Sequence, residues 1–375
     1  MRITLVSETY FPQVNGVSRT LDRLTRHLAA CGDQVQLLIP DYGQEVPEGP
    51  EDVRFFRAFH PPFYRELHLP LAGKRKLQWA IESFSPDVTH IATEGPMGWS
   101  ALRATIKSGL PLVTSYHTNY CQYLPSYRAG VLKPVAWRYL RWFHNHAAVT
   151  LCPSRSTRQM LQDKGFRRVD IWSRGVDSEF FSPVKRDLRL RQNFRVKEHE
   201  TLLLYAGRVA NEKNLPMLIE AFNLLLDDFP ARLLIIGDGP LRSKLESENK
   251  NRRIIFAGYQ KGEELARLYA ASDFFVFPSL TETFGNVMLE AMSSGLPVLG
   301  FEVPGPRDLV QPGETGELTS EISADALAGL IKKTVKDEEH RRKMSSAARS
   351  YALEQSWEQV NEVVRRAYQR AAGSL

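Results

Sequence analysis

Residues 273–290 read DFFVFPSLTETFGNVMLE and decide the fold class of this chain. The first seven, Asp273–Ser279, form a short apolar run, which is typical of a strand buried on both faces of a parallel sheet. Beyond Phe284, the apolar residues Val287, Met288 and Ala291 recur at helical spacing. A buried strand that leads through a polar loop into a helix is the repeating unit of α/β proteins. The stretch therefore predicts an α/β fold with a parallel sheet.

The start of this helix also predicts an anion site. We expect the first turn to span Phe284 to Val287, whose backbone N–H groups lack intrahelical partners and lie at the positive end of the helix dipole. A phosphate is stabilised there without a metal. Glu290 could accept hydrogen bonds from a ribose, and Glu282 could face the group carried by the distal phosphate. The alternative is an ordinary strand–loop–helix unit whose glutamates are solvated.

A second charged cluster follows the apolar run Leu202–Gly207. Arg208 and Lys213 lie between this predicted strand and the next helix. A planar guanidinium and a point-like ammonium are suited to a diphosphate, although two solvated surface cations would give the same pattern. The turn Gly237-Asp238-Gly239-Pro240 follows a third apolar run, and such a loop often serves only as a tight turn.

Strands and helices alternate in two successive arrays. The first begins at Arg2–Ser7, and the second begins near Thr201. Such alternation implies parallel sheets whose ligands bind outside the carboxyl ends of the strands. We expect an N-terminal domain over residues 1–184, a C-terminal domain over 185–356 and a final helix over 357–375. If both domains bind ligand at their strand ends, the active site is the cleft between them.

Composition agrees with two globular domains. The chain has 375 residues, of which 43% are hydrophobic and 25% charged, with a sequence pI near 9.1. No apolar run reaches the roughly 18 residues of a membrane span, and we expect the first residues to form a strand rather than a signal peptide. Cys31, Cys121 and Cys152 are few and widely spaced, so we expect reduced thiols and a cytoplasmic protein.

These motifs carry a resemblance to a known family. The chain resembles the retaining glycosyltransferases of family 4, which have the GT-B fold of two Rossmann-like domains facing a cleft, with a C-terminal helix crossing back to the first. The group includes phosphatidylinositol mannosyltransferases and sulfoquinovosyl-diacylglycerol synthases. The matching segments are AGRVANEKN, IIGDGP, the pair Glu282 and Glu290, AMSSGLPVLG, PQVNGVSR, SYHTNY and SRGVDSEFFSP.

The resemblance implies roles for individual residues. It assigns Arg208 and Lys213 to the diphosphate, Glu290 to the ribose and Glu282 to the donor sugar. His117, which follows PLVTSY, would contact the donor sugar and stabilise the transition state. The remaining donor contacts implied are Gly16, Gly258, Tyr259, Phe284, Gly285, Asn286 and Val287.

Catalysis is then expected to be electrostatic. Arg208, Lys213, Glu282 and His117 are the catalytic candidates, because charge develops on the β-phosphate as the nucleoside diphosphate leaves. The chain shows no D-x-D pair at a strand end, so we predict an enzyme without metal or other cofactor. The first domain offers no carboxylate near His117 that could complete a pair with Glu282. We therefore favour same-face attack, in which the departing phosphate takes the proton of the acceptor hydroxyl, over the paired carboxylates of retaining glycosidases.

Residues 59–80 (FHPPFYRELHLPLAGKRKLQWA) give the clue to the acceptor. Arg65, Lys74, Arg75 and Lys76 lie among aromatic residues and leucines, a composition suited to an anionic lipid surface. Basic and aromatic residues also alternate around residues 128–142. The alternative is a solvated basic face with core aromatics. We predict a peripheral protein on the inner face of the cell membrane with a diacylglycerol-type acceptor.

The donor stays open between GDP-mannose and UDP-sugars. In Val303–Val310 (VPGPRDLV), Arg307 and Asp308 replace the Pro-Glu pair that is usual in the family, and TETFG is an uncommon context for Glu282. Other possible functions are transfer to a soluble or polysaccharide acceptor, non-catalytic nucleotide-sugar binding at the membrane, and an epimerase or phosphorylase activity. Nucleic-acid binding rests only on the basic balance, and we expect none.

Overall fold

The computed structural model describes residues 1–13, 15–43, 50, 52–59, 69–70, 73–117, 133–226, 229–282 and 284–373. The chain forms two compact units. The first is Met1–Arg174 with Trp357–Leu375, and the second is Gly175–Ser356. The division precedes the predicted boundary after residue 184, because Val176 and Phe181 are buried in the core of the second unit.

The strands described in the first unit are β1 Arg2–Val6, β2 Gln34–Pro40, β3 Asp52–Phe56, β4 Ala58–Phe59, β5 Leu69–Pro70, β6 Val88–Ile91, β7 Leu112–Ser115, β8 Val149–Cys152 and β9 Val169–Ile171. Seven of them form a parallel sheet of order β3-β2-β1-β6-β7-β8-β9. The other two, β4 and β5, form a short antiparallel pair. The helices described in this unit are Gly16–Ala30, Lys74–Phe84, Pro96–Lys107, Lys133–His144, Arg155–Asp163 and Trp357–Ala371.

The first helix shows how the local sequence sets its limits. Asn15 caps its N-terminus by accepting hydrogen bonds from the backbone of Val17 and Ser18, and Ser18 bonds back to the Asn15 backbone. The helix ends before Gly32, which has a φ of 78° that few other residues adopt. Its leucines at 21, 24 and 28 are fully buried, as their spacing predicts.

The C-terminal helix Trp357–Ala371 completes the core of the first unit. Val364, Ala367 and Tyr368 belong to the same buried cluster as Ile3 and Leu5 of β1. The surface of this helix is held to the same unit by ion pairs and by a hydrogen bond from a side-chain amide. These join Arg365 to Asp33, Arg370 to Asp170 and Asn361 to the Arg23 carbonyl oxygen.

The strands described in the second unit are β10 Thr201–Ala206, β11 Ala231–Ile236, β12 Ile254–Gly258, β13 Phe274–Phe277, β14 Val298–Phe301 and β15 Gly316–Thr319. They form a six-stranded parallel sheet of order β12-β11-β10-β13-β14-β15. The helices described in this unit are Leu188–Asn193, Leu215–Asn223, Arg242–Glu248, Gly262–Ala271, Asn286–Ser293, Pro306–Leu309, Ala324–Val335 and Glu338–Leu353, with 3-10 turns at Pro183–Lys185 and Asn211–Lys213.

Both faces of the second sheet are covered. Along β10, Leu202 and Leu204 join one buried cluster, whereas Leu203 and Tyr205 join the cluster on the opposite face. Alternate side chains point to opposite faces, so an unbroken apolar strand needs packing on both. The predicted α/β fold with two parallel sheets is therefore confirmed. No helix among the residues described is long and apolar enough to cross a membrane.

Candidate functional site

The helix after β13 begins later than the sequence predicts. Its first residue is Asn286, and Gly285 precedes it with φ 89° and ψ 67°. This left-handed conformation is available to glycine at little cost and is not part of a helix, so Phe284 and Gly285 lie in the loop. Glu290 consequently lies just over one turn into the helix.

Among the described residues nothing caps the N-terminus of this helix, which is in this sense open to a ligand. Gly285 provides no capping side chain, and in the part of the chain that the structure describes nothing accepts a hydrogen bond from the Asn286 or Val287 backbone N–H. These two donors and the helix dipole attract an anion. The predicted phosphate position is thus compatible with the structure, with its donors starting at Asn286.

Lys213 and Glu282 form an ion pair beside the strand ends. The Lys213 Nζ lies 2.5 Å from the Glu282 Oε2, and both side chains are about four-fifths buried, at 23% and 20% exposure. Two hydrogen bonds hold the Lys213 turn against the end of β13. The Asn214 side chain donates to the Pro278 carbonyl oxygen, and the Ser279 hydroxyl donates to the Glu212 carbonyl oxygen. Two residues that the sequence singled out separately are therefore neighbours.

Glu290 is oriented by a buried tyrosine. The Tyr269 hydroxyl donates to the Glu290 Oε2 at 3.1 Å. Burial, followed by the Glu290 charge, raises the pKa of Tyr269 well above its ordinary value, so the phenol remains a donor. A carboxylate held in this way keeps a fixed direction for accepting bonds from a diol.

The other predicted donor residues are exposed or have a structural role. Arg208 is 68% exposed and lies 3.9 Å from the Glu212 carboxylate, so it does not join the Lys213–Glu282 pair. Gly258 has a left-handed φ of 71°, and Tyr259 beside it is 67% exposed. Both lie at the carboxyl end of β12, and their contact with the donor stays a prediction.

The glycines of the Gly237-Asp238-Gly239-Pro240 turn have a packing explanation. A Cβ on Gly237 would lie 1.8 Å from the Gly207 carbonyl oxygen, and one on Gly239 would lie 2.4 Å from that of Val209. The loops after β10 and β11 therefore touch backbone to backbone, which accounts for these glycines without a ligand.

Gly16 lacks such an explanation. It is the first residue of the first helix, it is exposed, and a Cβ built on it would meet no atom within 4 Å. The surrounding structure leaves room for a ligand to approach the backbone, and its contact with the donor stays a prediction.

His117 lies buried just beyond β7, with both ring nitrogens occupied. Nε2 is 2.8 Å from the Ser115 hydroxyl, and Nδ1 is 2.9 Å from a guanidinium nitrogen of Arg174. Burial and the charge of Arg174 hold the pKa of His117 well below its ordinary value. The ring is therefore neutral and has no free nitrogen for proton transfer. Its assignment to the donor sugar stays a prediction.

Sequence reasoning missed two residues at this edge of the first sheet, Arg174 and Glu8. Arg174 lies within the motif SRGVD but was not singled out. Glu8 follows β1, and its Oε1 accepts a hydrogen bond from the Met97 backbone N–H at 2.6 Å, at the start of the helix Pro96–Lys107. Burial raises the pKa of Glu8 to about 7. The position of Glu8 just after the first strand was the sequence signal that could have identified it.

Glu8 gives a prediction for stability. Its pKa rises from 4.5 to about 7 on folding, so the folded state binds a proton that the unfolded state releases, and stability falls as pH rises across this window. A shift of one pKa unit corresponds to 1.36 kcal/mol, so the free energy of unfolding should fall by up to about 3 kcal/mol across this window. Glutamine at position 8 does not titrate, and Glu8→Gln should therefore remove this loss. The advantage in melting temperature of Glu8→Gln over wild type should therefore grow from pH 5 to pH 8. Glu358→Gln, on an exposed carboxylate, is the control, and an equal advantage at both pH values would contradict the assignment.

The basic helix Lys74–Phe84 presents part of the predicted membrane surface. Arg75 and Lys76 are exposed and Lys74 is half-buried, whereas Arg65 lies outside the described residues. Two tryptophans add apolar area, Trp79 at 67% exposure and Trp99 at 39%. The guanidinium of Arg54 lies 5.0 Å from the Trp79 ring centroid. The guanidinium of Arg103 lies at the same distance, 5.0 Å, from the Trp99 ring centroid.

The helix Lys133–His144 offers less exposed aromatic area to a membrane than its composition suggests. Trp137 packs against a buried cluster and contacts the Phe166 ring, and the Tyr139 hydroxyl donates to the Glu94 carbonyl oxygen. Trp142 is exposed, at 42%. Trp137 and Tyr139 therefore fit the alternative of core aromatics, whereas Trp142 is available to a membrane surface.

One group in the described chain has three possible metal-binding atoms close together. His27, Cys31 and Glu362 bring ligand atoms within 4.8 Å of one another. Arg366 lies 3.5 Å from the Glu362 carboxylate and Arg365 is on the same helix. These positive charges oppose a divalent cation, so we assign no metal to this group. The absence of a catalytic metal stays a prediction.

Comparison with known proteins covers the whole chain. Residues 14–180 match the profile of Glycosyltransferase Family 4, and residues 187–351 match that of Glycosyl transferases group 1. A GDP-mannose-dependent alpha-mannosyltransferase of Mycobacterium tuberculosis is 34% identical over 100% of this chain and 97% of its own length. An alpha-monoglucosyldiacylglycerol synthase of Streptococcus pneumoniae is 29% identical over 85% of this chain and 75% of its own length. Sucrose-phosphate synthase of Thermosynechococcus elongatus shares the fold, with a TM-score of 0.79, 20% identity and 100% coverage of both chains.

Proposed function

The chain belongs to glycosyltransferase family 4, and from this membership we propose that it moves a hexose from a nucleotide diphosphate sugar to a membrane lipid, with retention at the anomeric carbon. The donor is GDP-mannose or a UDP-sugar. The acceptor is diacylglycerol or a glycosyl-diacylglycerol, consistent with a relative whose name includes diacylglycerol.

The Lys213–Glu282 pair beside an open helix N-terminus is the observation that carries the donor half of the proposal. Without a ligand, the ammonium is neutralised by Glu282 at 2.5 Å. A diphosphate at the helix N-terminus offers Lys213 a second anion and repels the glutamate. Lys213 then follows the phosphate, and Glu282 is released toward the sugar that the phosphate carries. Ligand binding thus places both side chains in their proposed roles.

Retention follows from same-face attack in this proposal. The leaving phosphate is stabilised by Lys213 and by the N–H groups of Asn286 and Val287, and it accepts the proton of the attacking hydroxyl. His117 is a poor nucleophile or base because both of its nitrogens are hydrogen-bonded. The positive charge comes from the protein itself, so the reaction needs no divalent ion.

The test is to purify the lipid product and read its anomeric configuration by proton NMR. With an α-linked donor, an α-linked product formed in the presence of EDTA is expected. A β-linked product would contradict retention, and activity that disappears with EDTA and returns with magnesium would contradict metal independence.

Glu290 should chiefly affect donor affinity. Glu290→Ala removes the acceptor of the ribose hydroxyls, and a hydrogen bond to a charged group contributes about 1.5–3 kcal/mol. The dissociation constant for the donor should rise about 10- to 100-fold with little change in kcat. Tyr269→Phe keeps the carboxylate but removes the hydroxyl that orients it, so a smaller rise is expected. The assignment fails if calorimetry shows the same affinity for Glu290→Ala and wild type.

The lipid half of the proposal rests on the surface that carries Arg75, Lys76, Trp79 and Trp99. The apolar residues of its two helices face inward, since Leu77, Ile81 and Met97 lie in one buried cluster. The two exposed tryptophans are therefore not needed for that core. Cations that surround exposed tryptophans are suited to the boundary between anionic headgroups and acyl chains.

Charge reversal tests this surface. Each basic residue near an anionic membrane contributes about 1 kcal/mol, so changing Lys74, Arg75 and Lys76 to glutamate should weaken partitioning onto anionic vesicles at least about 100-fold. Donor binding should not change. The matched control reverses three lysines of the second unit that are exposed, Lys332, Lys333 and Lys336. Equal sedimentation of both triple variants with the vesicles would place the membrane contact elsewhere.

Two other functions remain as outcomes of the assays. Transfer to a soluble or polysaccharide acceptor would leave the donor site unchanged but label no lipid. A non-catalytic sensor would bind the nucleotide sugar and turn none over.

A further inference from the structure

A buried chain of hydrogen bonds crosses the first unit from Arg174 to the C-terminal helix. Arg174 contacts the His117 Nδ1 at 2.9 Å, and the His117 Nε2 contacts the Ser115 hydroxyl at 2.8 Å. The same hydroxyl lies 2.9 Å from the His90 Nε2, and the His90 Nδ1 lies 2.6 Å from the Tyr368 hydroxyl. All five side chains are buried.

The arginine at one end fixes the direction of both bonds of His117, and a Ser115 hydroxyl that donates onward sets the direction of the remaining bonds. A guanidinium only donates, so the His117 Nδ1 must be the acceptor and the proton of the neutral ring must reside on Nε2. His117 then donates to Ser115, and the serine hydroxyl donates to the His90 Nε2. His90 consequently carries its proton on Nδ1 and donates to Tyr368. The two histidines are held in opposite tautomers.

The reverse direction is open to every member of the chain except Arg174. Tyr368 can donate to His90, His90 to Ser115, and Ser115 to His117. That arrangement would place an N–H on the His117 Nδ1, facing a charged N–H donor at 2.9 Å. Two opposed donors in a buried site lose a hydrogen bond and add repulsion. The forward arrangement leaves only the hydroxyl hydrogen of Tyr368 without an assigned acceptor, which is the smaller cost. Donation to Ser115 from both rings would instead leave the serine hydrogen without an acceptor and would place the His90 proton on Nε2, so the His90 tautomer distinguishes the two arrangements.

The Arg174 side chain is buried and held by several contacts. It is 7% exposed, and among the described residues no carboxylate lies within ion-pair distance of it. Its guanidinium donates to the carbonyl oxygens of Trp172 and Ser173 at 3.1 and 3.4 Å. The Trp172 ring packs against both histidines, with centroids 5.3 Å from His117 and 5.9 Å from His90. A buried cation without a counter-ion is costly, and packing alone would be served by an apolar residue.

We propose that Arg174 is a positioning residue that holds His117 as the neutral, Nε2-protonated tautomer in one ring orientation, and that the hydrogen-bond chain extends this constraint to His90 and Tyr368. The part of this inference that concerns turnover rests on the proposed function, through the assignment of His117 to the donor sugar. The part that concerns tautomers stands on the hydrogen bonds alone. A histidine locked in this way contributes shape and a fixed dipole to the site and takes no proton from the substrate.

The first test is nitrogen NMR on the full chain labelled with ¹⁵N-histidine. Wild type should show His117 protonated on Nε2 and His90 protonated on Nδ1. Arg174→Leu should release both, so that His90 changes its tautomer population although Arg174 does not touch it. Arg174→Lys, which also only donates, should preserve the wild-type pattern. Ser115→Ala, combined with Arg174→Leu, should isolate His90 from the change at residue 174.

The second test is steady-state kinetics on the same variants. Arg174→Leu should lower kcat at least about tenfold with a small change in KM, and Arg174→Lys should recover much of the loss. Arg155→Leu, on an exposed arginine of the same unit, is the control. Wild-type His117 protonated on Nδ1 would overturn the inference even if no variant folds. Correct tautomers without any glycosyl transfer would instead overturn the proposed function, and correct tautomers with unchanged kcat in Arg174→Leu would overturn the positioning role.

Discussion

Replacing Lys213 by alanine is expected to lower kcat about 100- to 1,000-fold, which is the usual effect of removing one preorganised donor at a developing oxyanion. The negative charge on the β-phosphate increases as the sugar leaves. An ammonium close to that phosphate therefore stabilises the transition state more than the ground state, and its loss appears in kcat. Donor affinity should weaken as well, by a smaller factor, because the diphosphate is already charged when it binds.

The matched control is Lys244→Ala, on an exposed lysine of the helix Arg242–Glu248 in the same unit. Lys213→Ala leaves Glu282 without its partner, but that carboxylate is 20% exposed and water can solvate it. The melting temperature should change little, so a loss of activity would not reflect unfolding. A kcat within threefold of wild type would remove Lys213 from the catalytic group.

Replacing Glu282 by alanine is expected to lower kcat about 100-fold while strengthening the binding of a free nucleoside diphosphate. Lys213 is paired with Glu282 at 2.5 Å without ligand, so the diphosphate must compete with the carboxylate for the ammonium. Removing the carboxylate removes both this competition and a repulsive charge. The sugar, however, loses the acidic side chain that orients it.

The opposite directions of these two effects separate a functional role from damage to the fold. Calorimetry with GDP and UDP measures the affinity, and turnover of the full donor measures kcat. Glu282→Gln keeps the shape and removes the charge, so it should reproduce the tighter diphosphate binding. If Glu282→Ala binds the diphosphate more weakly than wild type, the exchange of partners at Lys213 is not part of the mechanism.

Elements with a strong local pattern were predictable from the sequence. Unbroken apolar runs such as Leu202–Gly207 and Asp273–Ser279 indicated buried parallel strands, and the structure has strands at Thr201–Ala206 and Phe274–Phe277. The start of the helix after β13 was misplaced because apolar spacing does not show which glycine will adopt a left-handed conformation. At Gly285 that conformation delays the helix until Asn286.

Partnerships between distant residues were not predictable. Lys213 and Glu282 were singled out for separate tasks, and only the packing of the Lys213 turn against the end of β13 shows that they are paired. His117 was assigned to the sugar without any indication that Arg174 and Ser115 occupy its ring nitrogens. A single sequence records which side chains follow a strand, but not which of them meet at the sheet edge.

The most direct test of the account is transfer of label into lipid. Purified protein would be incubated with radiolabelled GDP-mannose, UDP-glucose, UDP-galactose or UDP-glucuronate and with diacylglycerol in anionic vesicles, with EDTA present, and the organic phase would be counted. We predict that one donor labels lipid, and that Lys213→Ala reduces this label to about 1% or less of wild type. If no donor labels lipid while nucleotide is bound or released, the lipid acceptor is contradicted. If no donor is bound at all, the donor site itself is contradicted.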